Sequence, residues 1–211
     1  MIFRLDERLL FPDPDLADPD GLLAVGGDLS ANRLILAYQN GIFPWYSDET
    51  PILWYAPHER CVIFPPEIKI SKSTKQILRS DKFSITVNQC FEKVIAACSS
   101  VERKDQDGTW ITDEMMAAYI QLHQLGQAHS IEVWFDGNLV GGLYGVQTGN
   151  VFCGESMFSL MNNASKIALI YLCSMGFAMI DCQMHTPHLE SMGARMISRQ
   201  EYMEVLQKSV A

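Results

Sequence analysis

Glu155, Asp181 and Gln183 are the side chains whose types and surroundings best suit chemistry. Glu155 follows Gly154 and sits amid Phe152, Met157 and Phe158. A carboxylate in such apolar company is costly unless a cation or hydrogen-bond donors meet it. It serves either as half of a structural ion pair or as the receptor for an amino group. Asp181 and Gln183 end an apolar run over residues 177–183. In a strand, alternation puts these two on one face and Cys182 on the other. Cys182, with His185 or His188 as base, is a rival nucleophilic reading. It is disfavoured because the thiol faces away from its polar neighbours and nothing lowers its pKa. The two histidines lie in a loop, without the spacing of metal ligands on a helix. No pair among the six cysteines is C-x-x-C, so buried free thiols are expected rather than a zinc site or a disulfide framework.

These groups must be carried by regular elements. Strands are expected at 130–135, 139–147 and 151–158, with Asp136-Gly137 as a hairpin turn between the first two. Gly141, Gly142, Gly145, Gly149 and Gly154 interrupt this meander, marking bulges, close packing or the approach of a ligand. A nearly all-apolar helix over 164–175 follows and must be buried on most sides. Then come the 177–183 strand, a short helix near 187–192, and a last helix opened by the capping box Ser198-x-x-Glu201. Earlier, a strand is expected at 61–64 and helices near 71–80, 88–99 and 113–125, the last capped by Thr112. Residues 1–60 are rich in Pro, Gly and Asp and predict a small irregular N-terminal domain with one helix between Ser30 and Gly41. The whole reads as α+β: that domain plus a second one over 61–211, with a mixed sheet covered by helices.

The chain has 211 residues, 48% of them apolar and 19% charged, an ordinary globular composition. No run approaches the ~18 apolar residues of a membrane span, and the start lacks a signal-peptide core. With 16 basic and 25 acidic residues the net charge is −9, which taken globally speaks against nucleic acid. The distribution says otherwise. Residues 1–60 carry −6, whereas residues 68–82 carry +4. Lys72, Lys75, Arg79 and Lys82 are spaced 3, 4 and 3 apart and share one face of a predicted helix. Mixed signs would give i,i+4 pairs, and this face forgoes them. A solvated face and a polyanion-binding face both remain open, and RNA phosphates suit the second.

Several ordered segments carry a resemblance to a known family. They are GLLAVGGDLS (21–30), YQNGIFPWY (38–46), WYAPHER (54–60), TWI (109–111), AHSIEVW (128–134), LVGGLYGV (139–146), FCGESMFS (152–159), NASK (163–166) and IDCQ (180–183). Together they resemble the leucyl/phenylalanyl-tRNA–protein transferases over about residues 20–195. The resemblance implies a cytoplasmic bacterial enzyme of the N-degron pathway, with a GNAT-like (acetyltransferase-like) second domain and neither metal nor cofactor. It would move Leu or Phe, and Met less well, from aminoacyl-tRNA to proteins beginning with Arg or Lys.

The same resemblance implies roles for residues. Gln183 and Glu155 are central. Gln183 would position the amine or donate to the oxyanion, Asp181 would orient it or relay a proton, and Glu155 would bind the donor's ammonium. Leu143, Phe152, Met157, Leu172 and Ile180 would line the amino-acid slot, though plain core packing fits them too. Trp45 and Trp110 would stack on the terminal adenosine, with core packing again the rival. The basic face would hold acceptor-stem phosphates, and the protein is expected to act as a monomer. Two departures stand out: Trp54-Tyr55-Ala56 replaces a Trp pair, and the link from the apolar helix to IDCQ is short. The alternatives are an acetyl-CoA-dependent N-acetyltransferase and a non-catalytic RNA-binding module. The loop 159–164 contains no glycine for a pyrophosphate, which disfavours the former.

Overall fold

The computed structural model describes residues 2–100 and 111–210. The first part is not irregular, as its turn residues suggest, but holds a four-stranded sheet. Its strands are β1 (Phe3–Leu5), β2 (Leu22–Gly26), β3 (Phe43–Pro44) and β4 (Leu53–Tyr55), in the order β1-β2-β4-β3. Strands this short, with prolines between them, leave too little alternation to read. Helix α1 (Ala31–Gln39) lies between β2 and β3, and Gly41 follows it in a left-handed conformation, φ 68°. Ser30 precedes α1 without capping it through its side chain.

The second sheet has seven strands. They are β5 (Glu59–Ile63), β6 (Ser84–Val87), β7 (Ala128–Phe135), β8 (Asn138–Thr148), β9 (Val151–Ser159), β10 (Met179–Gln183) and β11 (Arg195–Ser198). Their order is β11-β5-β10-β9-β8-β7-β6. Strands β6 and β11, of four residues each, are additions to the sequence reading. Among the described residues, β9 and β10 form the one parallel pair of this sheet, and the crossover between them carries α5 (Ala164–Cys173). The remaining helices are α2 (Lys72–Arg79), α3 (Phe91–Ser100), α4 (Asp113–Gln124), α6 (Pro187–Ser191) and α7 (Arg199–Val210).

The local signals behave as their chemistry requires. Asp136 and Gly137 both have positive φ, the conformation of a two-residue hairpin turn. Thr112 Oγ1 accepts from the Met115 amide at 3.1 Å, and Ser198 Oγ from Glu201 at 3.1 Å. Helix α5 packs so closely on the meander that a Cβ on Gly141 would lie 2.5 Å from Ala164 Cβ. At Gly145 a Cβ would lie 2.1 Å from the Cys153 carbonyl oxygen. Packing therefore explains both of these glycines.

One face of the large sheet meets α5 through Leu143, Phe152 and Ile180. The other contributes Tyr144, Val146 and Cys153 to a cluster that continues through Leu34, Tyr38 and Trp54 of the first sheet's region to Tyr119 and Tyr202. One core therefore joins the two sheets.

Candidate active site

Two irregularities on neighbouring strands build the site. On β9, Tyr144 of β8 faces Ser156 and Gly145 faces Gly154, so Glu155 is an extra residue. On β10, Asp181 faces Val62 of β5 and Gln183 faces Cys61, so the register steps past Cys182. Such bulges bend a strand and re-aim its side chains. The parallel pairing of β9 with β10 extends only to Cys153 and Asp181. Beyond it the strands diverge, and a cavity of about 630 Å³ opens, lined by Gly154, Glu155, Asp181, Cys182 and Gln183 among others. That volume lies in the ~300–1,000 Å³ range of small-ligand pockets.

Among the described residues, no cation lies against Glu155. Its Oε1 accepts from Tyr38 Oη at 2.7 Å and from Gln183 Nε2 at 2.8 Å, and its Oε2 accepts from Tyr119 Oη at 3.2 Å. Burial pushes its pKa up from 4.5 to about 7 against the pull of these three donors, and the nearby Asp181 charge adds to the rise. A carboxylate held by neutral donors beside a cavity is suited to receive a cationic amine.

Asp181, fully buried, is ion-paired with Arg60. Burial opposes the Arg60 charge, but Asp181 holds the guanidinium's pKa above its ordinary value. Asp181 Oδ1 also accepts from the backbone amide of Gln183 at 2.8 Å. Gln183 has φ 58°, unusual for a residue with a side chain. Asp181 thus orients Gln183 through the main chain, while Gln183 reaches Glu155 through its amide.

Leu143, Met157, Leu172 and Ile180 line the cavity, as does Trp45. Phe152 does not. Its ring is buried against Phe177, 5.3 Å between centroids, so it belongs to the core. Trp110 lies outside the described residues. Cys182, expected to face away, lines the cavity with Gln183, because the register step breaks strict alternation. Its thiol is nevertheless pushed far above the ordinary range, by burial first, which disfavours the thiolate a nucleophile needs. None of the six cysteines forms a disulfide.

The basic face is shorter than the spacing predicts. Lys72, Lys75 and Arg79 lie on α2, but the helix stops at Arg79, and Asp81 turns left-handed at φ 48°. Lys82 is past that turn, its Nζ 5.3 Å from the Phe83 ring centroid and 5.4 Å from that of Phe135. It is a cation–π partner, not a member of the face. Glu132, the acidic residue of the AHSIEVW segment, is buried away from the cavity. It accepts from Ser130 Oγ and Thr86 Oγ1, each at 2.5 Å.

Sequence reasoning missed Tyr38, Tyr119 and Arg60, and also Leu169, which lines the cavity. Tyr119 shares helical spacing with Met115 and Leu122, which reads simply as core. Arg60 closes the segment WYAPHER, and its unusual fate, burial to 2% exposure, has no signal in composition.

The site is an apolar bay ending in a buried carboxylate hydrogen-bonded to the Gln183 amide, an arrangement that can receive an amine. The family model for leucyl/phenylalanyl-tRNA protein transferase matches residues 62–207, and the model for the N-terminal domain of the same enzymes matches 27–58. The chain belongs to this family. Leucyl/phenylalanyl-tRNA–protein transferases from Syntrophobacter fumaroxidans and Chromobacterium violaceum are 54% and 52% identical to it. These alignments span 99% and 100% of this chain, and 91% and 92% of those proteins. That of Flavobacterium johnsoniae is 50% identical over 97% of this chain and 99% of its own. Solved structures diverge further. A GCN5-related N-acetyltransferase from Kribbella flavida shares 8% identity and a TM-score of 0.39 over 76% of this chain and 58% of its own. Overlap at that level adds nothing to the argument. Among the described residues, no helix is long and apolar enough to cross a membrane.

Proposed function

We propose that the protein transfers leucine or phenylalanine, and methionine less well, from aminoacyl-tRNA to the α-amine of proteins beginning with Arg or Lys. Such a mark would direct them to degradation by the N-degron pathway in the cytoplasm. The observation that carries this reading is the Gln183 Nε2–Glu155 Oε1 hydrogen bond, 2.8 Å, on the wall of a largely apolar cavity.

The donor is an activated ester, so the protein chiefly aligns two substrates, which contributes several kcal/mol. The aminoacyl side chain enters among Leu143, Met157, Leu172 and Ile180, where the thioether of Met157 adapts to either branched or aromatic shapes. Its α-ammonium supplies a positive charge beside Glu155. With Nε2 of Gln183 given to Glu155, its carbonyl oxygen is left to accept from the attacking amine. The amine nitrogen bonds to the ester carbonyl carbon, the bond to the tRNA 3′ oxygen breaks, and the proton lost by the amine ends on that oxygen. An amide cannot hold a free proton, so Gln183 guides the amine rather than deprotonating it. Trp45 provides a face for the terminal adenosine, and Lys72, Lys75 and Arg79 meet acceptor-stem phosphates.

The loop before α5 argues against a coenzyme A thioester as donor. The amides of Leu160 and Met161 donate to Val140, that of Ala164 to Met161, and that of Ser165 to Ser159 Oγ. They are turned toward the protein, whereas a pyrophosphate needs them turned out. The test supplies tRNA charged with labelled leucine and two peptides, one beginning with Arg and one with Gly. Label on the Arg peptide alone is expected; label on neither, or on both equally, overturns the proposal.

A further inference from the structure

We infer that Arg60 is a positioning residue for the transfer reaction, acting through Asp181 on the backbone of Gln183. The inference rests on the role proposed for Gln183. Arg60 lies on β5, which flanks β10, is not itself among the residues lining the cavity, and meets two that are, Asp181 and Phe43. Its guanidinium is held from every side. Nη2 and Nε meet the two oxygens of Asp181, and Nη1 donates to the Gly41 carbonyl at 2.8 Å. Its planar faces meet Phe43 and Tyr202, with Cζ 4.7 and 4.6 Å from the ring centroids. Only a planar, forked cation satisfies these contacts together.

The consequence is transmitted one step further. The Asp181 Oδ1 that Arg60 Nε approaches is also the oxygen that accepts from the Gln183 amide. Gln183 occupies a left-handed conformation, which a residue with a Cβ adopts only when its surroundings impose it. Here the imposing contact is that amide hydrogen bond, at the point where the ladder steps past Cys182. If the carboxylate of Asp181 rotates, the amide loses its acceptor, the backbone relaxes, and the Gln183 side chain leaves Glu155. Arg60 fixes that carboxylate.

A residue that serves only stability would lower activity by the same factor whatever stands at position 183. One that works through Gln183 would not, and a double-mutant cycle separates the two. The cycle uses Arg60→Lys, Gln183→Ala and the double variant, with single-turnover transfer rates and thermal unfolding measured for each. Arg60→Lys is expected to lower the rate roughly 100-fold, the cost of a misplacement near 1 Å. The KM for aminoacyl-tRNA should move less than about threefold. In the Gln183→Ala background the same change should cost less than about threefold. Equal losses in both backgrounds, or an unaffected Arg60→Lys, overturn the inference while leaving the role of Gln183 intact. An unaffected Gln183→Ala overturns both. Should Arg60→Lys fail to fold, Tyr202→Leu loosens the guanidinium while keeping its polar partners, and the same cycle is read in the same way.

Discussion

Tyr38 and Tyr119 lie 81 residues apart in sequence, yet their hydroxyls share a hydrogen bond 2.5 Å long and both lie within donating distance of the Glu155 carboxylate, at 2.7 and 3.2 Å. One comes from the small sheet's helix α1 and the other from α4. They replace the counter-ion that a buried carboxylate ordinarily requires. Burial and the Glu155 charge both push the phenol pKa values far above their usual range, so each stays a donor at every working pH.

Removing one of these donors should move the pH dependence of transfer. The hydrogen bond from Tyr38 lowers the Glu155 pKa, which stands at about 7. A hydrogen bond to a charged group is worth about 1.5–3 kcal/mol, or roughly one to two pKa units. Tyr38→Phe should therefore shift the rising limb of the pH–rate profile upward by about that much. Transfer at pH 7 should fall about tenfold and recover in alkali. A profile of unchanged midpoint would show that Glu155 ionisation does not govern transfer.

Stability should respond to the same carboxyl in the opposite sense. Its pKa is raised on folding, from 4.5 to about 7. The native state therefore holds the proton more tightly than the unfolded chain, and this contribution falls as pH climbs through that window. The loss amounts to about 3 kcal/mol at order of magnitude. Glu155→Gln should gain on the wild type in urea unfolding by that amount between pH 4.5 and pH 7.5, and the difference should level off above it.

Gly145→Ala should be badly tolerated. The new Cβ would meet the Cys153 carbonyl at 2.1 Å and the Phe152 ring at 2.5 Å, and a backbone oxygen cannot step aside. Overpacking of this kind costs upward of about 3 kcal/mol. A melting temperature lower by about 10 °C is expected in calorimetry.

The two ends of the basic segment should separate in tRNA binding. Lys75→Ala should weaken binding and lower the slope of log affinity against log salt by up to about 0.9. Lys82→Ala should change neither, because Lys82 sits between Phe83 and Phe135 past the end of α2. Filter binding across a salt series measures both.

What the sequence disclosed and what it hid divide along physical lines. The meander was readable because period-2 alternation brackets a turn whose residues demand positive φ, Asp136 and Gly137. Helix α5 was readable because ten nearly apolar residues have no other use. Glu155 and Gln183 stood out as polar groups in apolar company. Their mutual aim did not, because it depends on an extra residue in β9 and a register step in β10, and neither leaves a compositional trace. The exclusion of Lys82 follows from one left-handed residue, Asp81, which a count of 3, 4 and 3 cannot foresee. Partners drawn from distant segments, such as Arg60 for Asp181, were invisible for the same reason: pairing is a property of the closed fold.

The ring of Tyr202 against Arg60 makes the site depend on a helix that does not line it. Tyr202 belongs to α7 and Arg60 to β5, and no described α7 residue is among those that wall the cavity. Until α7 docks on the sheet, one face of the guanidinium is uncovered and the strand end bearing Gln183 lacks its full brace. The site is thus a product of the closed fold, not of the meander and β10 alone.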